Sequence, residues 1–213
     1  IIIYYIIIFM KNNIKFYMVP ASPWSFLSFD RIEEISSSYN LEVDLIPIDI
    51  FKLFEMQEIK MVSKRPQAIQ KNRLRELQRW KDHLSIKFNI MPKFWPVNPL
   101  RACKLIIASS IFYSSEKHKS FLLAKKLSEA VWVNDSNTDD DNEIFEIAKE
   151  VVDIDSIKDI YFDNKVTSIL ENNTVDAFKN DIFGVPTFVY NNEVFWGQDR
   201  ICFLEKEIKR SNE

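Results

Sequence analysis

Val19-Pro20-Ala21-Ser22-Pro23-Trp24-Ser25-Phe26-Leu27 joins a short apolar run to the start of a helical pattern. Upstream, Ile14 to Val19 is apolar and aromatic and stops at Pro20, which reads as a buried strand. Ser22 falls where an N-cap belongs, and Pro23 occupies the first helical position, where its missing N–H costs nothing. Phe26, Phe29, Ile32 and Ile35 recur on one helical face and predict a helix from Pro23 to about Ser38. Leu41, Val43 and Leu45 alternate ahead of Pro47, predicting a second strand. The chain therefore opens β-α-β, and its first helix begins at a serine.

Downstream, from about Phe51 to Asp181, almost every segment has helical spacing: Ala68 to Ile86, Leu100 to Tyr113, His118 to Trp132, Glu143 to Val152 and Val166 to Asn180. Asp135 to Asn142 is an acidic turn whose carboxylates suit the N-terminus of the following helix better than a metal ion. The last forty or so residues change character. Thr187 to Tyr190 and Glu193 to Trp196 flank Asn191-Asn192 as a hairpin, and a final helix starts near Asp199 with Ile201, Leu204 and Ile208 on one face. The order is βαβ, helices, ββα. It predicts an α/β fold in which 10–50 and 182–213 form one domain and 51–181 an inserted helical one.

The 213 residues are 46% hydrophobic and 14% aromatic, enough for a substantial core. A net charge of −3 lacks the basic excess that nucleic acid or an anionic membrane surface would call for, and favours a small-molecule partner. Cys103 and Cys202 form no metal-ligand or C-x-x-C spacing, so a reducing, cytoplasmic setting is expected, although spacing alone does not exclude their pairing. The opening IIIYYIIIFM is too short to span a bilayer; translation is expected to start at Met10, leaving residues 1–9 as a non-native or disordered extension, with a short anchor or an extra edge strand as the alternative.

This order of elements resembles the thioredoxin-like plan of the disulfide-oxidoreductase A superfamily. Redox members of that plan place Cys-x-x-Cys at the first helix's N-terminus, where unpaired amides favour an anion. Here those four positions read Ser22-Pro23-Trp24-Ser25, so the chain has no sulfur there for dithiol exchange. A serine hydroxyl can instead hydrogen-bond a thiolate brought by another molecule, most simply glutathione, or it can be a cap and nothing more. A second signal is FGVPT (Phe183 to Thr187), where Pro186 is the candidate cis-proline and Val185 the residue presenting its backbone to a thiol compound. FWGQDR (Phe195 to Arg200) carries one of only two glycines, and its Asp199 suits an ammonium as well as a helix cap.

Together SPWSFL, Arg75 to Trp80 (RELQRW), Trp95 to Ala102 (WPVNPLRA), Ala130 to Trp132 (AVW), FGVPTF and FWGQDR, in this order, resemble the 2-hydroxychromene-2-carboxylate isomerases and the related kappa-class glutathione transferases. The resemblance runs from about Ile14 to Glu207. It implies a glutathione-dependent isomerase of aromatic breakdown, with Ser22 as the catalytic residue contacting the glutathione sulfur. Val185, Pro186, Trp196, Gly197, Gln198 and Asp199 would hold the tripeptide. Ser63, Lys64 and Asn98 would meet a small aromatic carboxylate substrate, and a homodimer is left open. Val19, Ser63 and Phe26 depart from the acid, asparagine and tyrosine frequent in that family. A kappa-like transferase and a non-catalytic thioredoxin-fold binding protein are the rival readings. The basic residues Lys71, Arg73, Arg75, Arg79 and Lys81 are expected on a solvated helix face paired with Glu76 and Asp82. Trp80, Trp95 and Trp132 either pack or line a pocket.

Overall fold

Four strands, β1 (Ile14–Met18), β2 (Val43–Pro47), β3 (Thr187–Tyr190) and β4 (Glu193–Trp196), make one sheet in the order β2-β1-β3-β4. The structure is a computed structural model that describes residues 13–212. The expected extension at 1–9 and the start at Met10 lie outside them. β1 pairs in parallel with β2, from Ile14↔Val43 to Met18↔Pro47. A parallel pair needs a crossover, and α1 (Pro23–Phe26) and α2 (Phe29–Ser38) supply it. On its other side β1 runs antiparallel to β3, and β3 turns into β4 through Asn191-Asn192. Both asparagines have positive φ, 50° and 65°, as a two-residue hairpin turn of this hand requires.

The predicted helix Pro23 to Ser38 is interrupted at Leu27-Ser28. Ser28 is fully buried, its hydroxyl donates to Trp24 O at 2.8 Å, and its N–H bonds Ser25 O one residue early. That side chain takes the carbonyl a continuous helix would use, so α1 ends after one turn.

Seven helices follow β2: α3 (Ile50–Met56), α4 (Gln67–Leu84), α5 (Leu100–Phe112), α6 (Lys117–Trp132), α7 (Asp141–Ala148), α8 (Ile154–Phe162) and α9 (Asn164–Lys179); α10 (Ile201–Asn212) closes the fold. α3 and α8 were not separately expected. Each starts at an aspartate: Asp49 accepts from Phe51 N and Lys52 N, and Asp153 accepts from Asp155 N. An aromatic stack ties sheet to helices, with Phe16 4.8 Å from Phe188 and 5.4 Å from Phe29, and Phe29 5.3 Å from Phe121, ring centre to ring centre.

In the acidic turn Asp140 caps α7 by accepting from Asn142 N and Glu143 N, as expected. Its neighbours serve a different contact. Arg101 of α5 bonds Asp139 at 3.1 Å and Asp141 at 2.6 Å, and Asp141 also accepts the Tyr161 hydroxyl. Burial pushes the Asp141 pKa up, but the Tyr161 and Arg101 hydrogen bonds outweigh it and hold it below the ordinary value. The stabilisation is thus complete above the ordinary carboxylate pKa and is lost as pH falls through the depressed one. Asp141→Asn should cost at most about 1 kcal/mol near neutral pH, because water screens this partly exposed pair. Thermal melts of variant and wild type should converge as pH falls through the depressed Asp141 pKa; a constant gap at every pH would contradict this assignment.

Among the described residues, no helix is long and apolar enough to cross a membrane, and no three His, Cys, Asp or Glu side chains are grouped to hold a metal ion. Both cysteines are free, Cys103 buried and Cys202 exposed.

Candidate functional site

Three loops leave the same end of the sheet. Register places Tyr17 opposite Thr187 and Thr187 opposite Trp196. The segment after β1 (19–22), the one before β3 (183–186) and the one after β4 (197–199) therefore emerge side by side. Ser22, the Val185-Pro186 pair and Gly197-Gln198-Asp199 belong to these three loops.

Ser22 is half-buried with extended backbone, φ −88° and ψ 121°, and its Oγ accepts from Ser25 N at 3.3 Å. As an acceptor in that bond the hydroxyl still has its own proton to donate. Pro23 has no N–H, and Trp24 N–H has no partner among the described residues, so one amide and one hydroxyl proton of the turn are left unpartnered among them. Ser25 is fully buried and its Oγ has no hydrogen-bond partner among the described residues.

Two indoles fix the approach to this turn. Trp132 Nε1 donates to Pro20 O and Trp95 Nε1 to Ala21 O, each at 3.3 Å. Trp132 is fully buried and packs 5.4 Å from Phe88, which stacks on Phe26 at 5.6 Å. Trp95 is half-buried, and the Arg73 guanidinium lies 4.4 Å from its ring centre. Of the basic residues on α4, Lys71, Arg75 and Arg79 are exposed as expected, and Arg79 pairs with Glu76. Arg73 and Lys81 are the exceptions, both only half-exposed, and Arg73 lies over Trp95, a position its neighbours in sequence do not signal. Asp82 accepts from Gln78 and, among the described residues, pairs with no cation.

The Val185–Pro186 peptide is cis. Pro186 O accepts from Gly197 N at 2.9 Å, and Thr187 Oγ1 donates to Gly184 O at 2.7 Å, so the proline loop and the β4 turn are bonded into one unit. Trp196, half-exposed, rests on Phe183 with ring centres 4.6 Å apart. A Cβ on Gly184 would come within 2.8 Å of the Trp196 indole nitrogen, so glycine admits that ring. Gly197 has φ +106°, and a Cβ there would stand 2.5 Å from Asp199 Oδ1. Gly197→Ala should cost about 2 kcal/mol through this backbone strain and displace the Asp199 carboxylate. A denaturant midpoint equal to that of wild type would contradict it.

Gln198 is buried, and Arg31 of α2 donates to its Oε1 and, at 3.2 Å, to Leu27 O. Burial lowers the Arg31 pKa, against the opposing pull of Asp199 and Cys202. The buried Arg31 Nε has no partner among the described residues. Asp199 is exposed, 3.5 Å from Arg200.

A family model for the DsbA-like thioredoxin domain matches residues 13–209. The chain belongs to the DsbA-like thioredoxin-domain family. This DsbA-like domain is similar to a 2-hydroxychromene-2-carboxylate isomerase of Pseudomonas sp. (strain C18), 23% identical over 198 residues covering 92% of this chain and 89% of the relative. It is also similar to the Pseudomonas putida protein of the same name, 24% identical over 200 residues, 92% and 94% covered. The solved structure of a 2-hydroxychromene-2-carboxylate isomerase superposes with a TM-score of 0.79 at 23% identity, over 92% of this chain and 94% of that one.

The remaining expected positions of this DsbA-like domain are less closely tied to Ser22. Ser63 and Lys64 lie exposed in a single 3-10 turn, Val62–Lys64, before α4. Neither side chain makes a hydrogen bond or ion pair among the described residues. Asn98 is exposed and its Oδ1 accepts from Leu100 N at 3.2 Å, a local turn at the start of α5. Within the WPVN segment it is Trp95, rather than Asn98, that bonds to the Ser22 loop.

Proposed function

We propose that this chain is a glutathione-dependent isomerase of the 2-hydroxychromene-2-carboxylate isomerase type, acting on a small aromatic carboxylate by reversible thiol addition. The observation that carries the reading is a serine hydroxyl, with no cysteine in its turn, on a loop that leaves the sheet at the same end as the cis-proline loop. Three relatives that carry that isomerase name support it.

The donor set fits a thiol tripeptide. Ser22 O–H and Trp24 N–H are two donors for a sulfur anion, and Ser25 adds a buried hydroxyl with no partner of its own among the described residues. The Val185 backbone offers an edge for peptide hydrogen bonds, and the Asp199 carboxylate suits the γ-glutamyl ammonium. When bound, glutathione supplies a nucleophile that adds to a conjugated double bond and is later eliminated, so that a barrier too high for direct rotation is divided. The chain's part is to keep that sulfur ionised, through Ser22 and Trp24, and to orient the acceptor's carboxylate, for which Lys64 is an exposed cation. Because α1 is a single turn, these donors act locally and not through a long helix dipole.

Calorimetry with glutathione, combined with ultraviolet monitoring of 2-hydroxychromene-2-carboxylate, tests the proposal. Heat of binding and isomerisation that requires glutathione are expected. Isomerisation indifferent to glutathione, or release of a conjugate from a model electrophile with no isomerisation, would overturn it.

A further inference from the structure

Arg73 is a cation withdrawn from water with nothing among the described residues to neutralise it. Its guanidinium lies over Trp95, and among those residues it makes no hydrogen bond or ion pair. A half-buried arginine is ordinarily matched by a carboxylate, since desolvating an unpaired charge is costly. Here burial, followed by the like charge of Arg65, lowers its pKa to about 10. Arg65 is itself occupied, donating to Lys60 O at 2.9 Å. The guanidinium sits over the Trp95 ring and its N–H donors are unpartnered among the described residues, so they remain available to receive a carboxylate through two parallel bonds. The same indole donates to Ala21 O, so one side chain separates this cation from the loop that carries Ser22.

We propose that Arg73 is a carboxylate-binding residue of this site, its guanidinium pairing with an acid group of the ligand held beside Ser22. This rests on reading the site as a glutathione site. Two carboxylates are the candidates, the glycine end of the tripeptide and the acid of the aromatic substrate, and both call for the same bidentate contact.

Calorimetry on wild type, Arg73→Gln and Arg73→Lys separates the sources, with glutathione, its C-terminal glycinamide and 2-hydroxycinnamate as probes. Circular dichroism and melting temperature establish that each variant is folded. If the tripeptide's acid is the partner, Arg73→Gln should weaken glutathione roughly tenfold to a hundredfold and leave the glycinamide unchanged. If the aromatic acid is the partner, 2-hydroxycinnamate loses that factor and glutathione does not. Arg73→Lys, which keeps charge but loses the fork, should fall between, and it decides the question if the glutamine variant does not fold. Wild-type binding of glutathione with every probe indifferent to residue 73 would overturn this proposal alone. Wild type that binds 2-hydroxycinnamate but no glutathione would overturn the tripeptide reading and leave Arg73 to be judged on the aromatic acid. No binding of any probe would overturn both.

Discussion

Trp132→Ala is expected to destabilise the protein by about 4 kcal/mol, the range for deleting a fully buried tryptophan. The indole has no exposed surface and contacts Phe88 and Trp95 at ring-centre distances of 5.4 and 6.1 Å. Its truncation leaves a void in the core where the indole was packed. It also removes the donor to Pro20 O, a buried carbonyl whose loss of partner contributes about 1 kcal/mol of that total. For a chain of this size the melting temperature should drop by roughly 10 °C. Trp132→Phe, which keeps a ring but not the N–H, should lose less than half as much. Denaturant unfolding is the check: a midpoint for Trp132→Ala equal to that of wild type would show that Trp132 does not anchor the loop leading to Ser22.

The second large effect is on chemistry. Ser22→Ala should lower turnover of 2-hydroxychromene-2-carboxylate about a hundredfold, as does removal of one preorganised donor to a reacting anion elsewhere. The stability cost should be about 1 kcal/mol or less, because the cap that Ser22 makes to Ser25 N is long at 3.3 Å. The two numbers separate the roles. A residue that only caps would lose stability while turnover per folded molecule stayed level, so steady-state kinetics beside thermal melts decide between them.

Local signals explain how much of this was legible in sequence. Ser22-Pro23 marks a helix start because a cap oxygen and a ring without an N–H suit it, and Asn191-Asn192 marks a hairpin because both tolerate positive φ. The paired loops at Pro186 and Gly197 followed from the two glycines and one proline, since each restricts backbone geometry at its own position.

Contacts made at long sequence separation were not legible. Arg31 reaches Gln198 across 167 positions, and nothing on α2 announces it. Arg73 reads as one more charge on a basic helix until Trp95 is folded against it. The break at Ser28 has the same origin on a smaller scale. Its hydroxyl bonds backwards only because burial leaves it no water to bond instead. Asn98 shows the converse, a side chain singled out by motif whose visible bond is to its own turn.

The most direct measurement is an ultraviolet titration of the glutathione thiol in the presence of excess protein, with Cys202→Ser removing the exposed thiol of the chain. The bound thiol is expected to ionise at least about one unit below the ordinary value near 8.5, and to return toward that value in Ser22→Ala. A titration that superimposes on that of free glutathione, or one shifted equally with and without Ser22, would contradict a sulfur anion held by this hydroxyl.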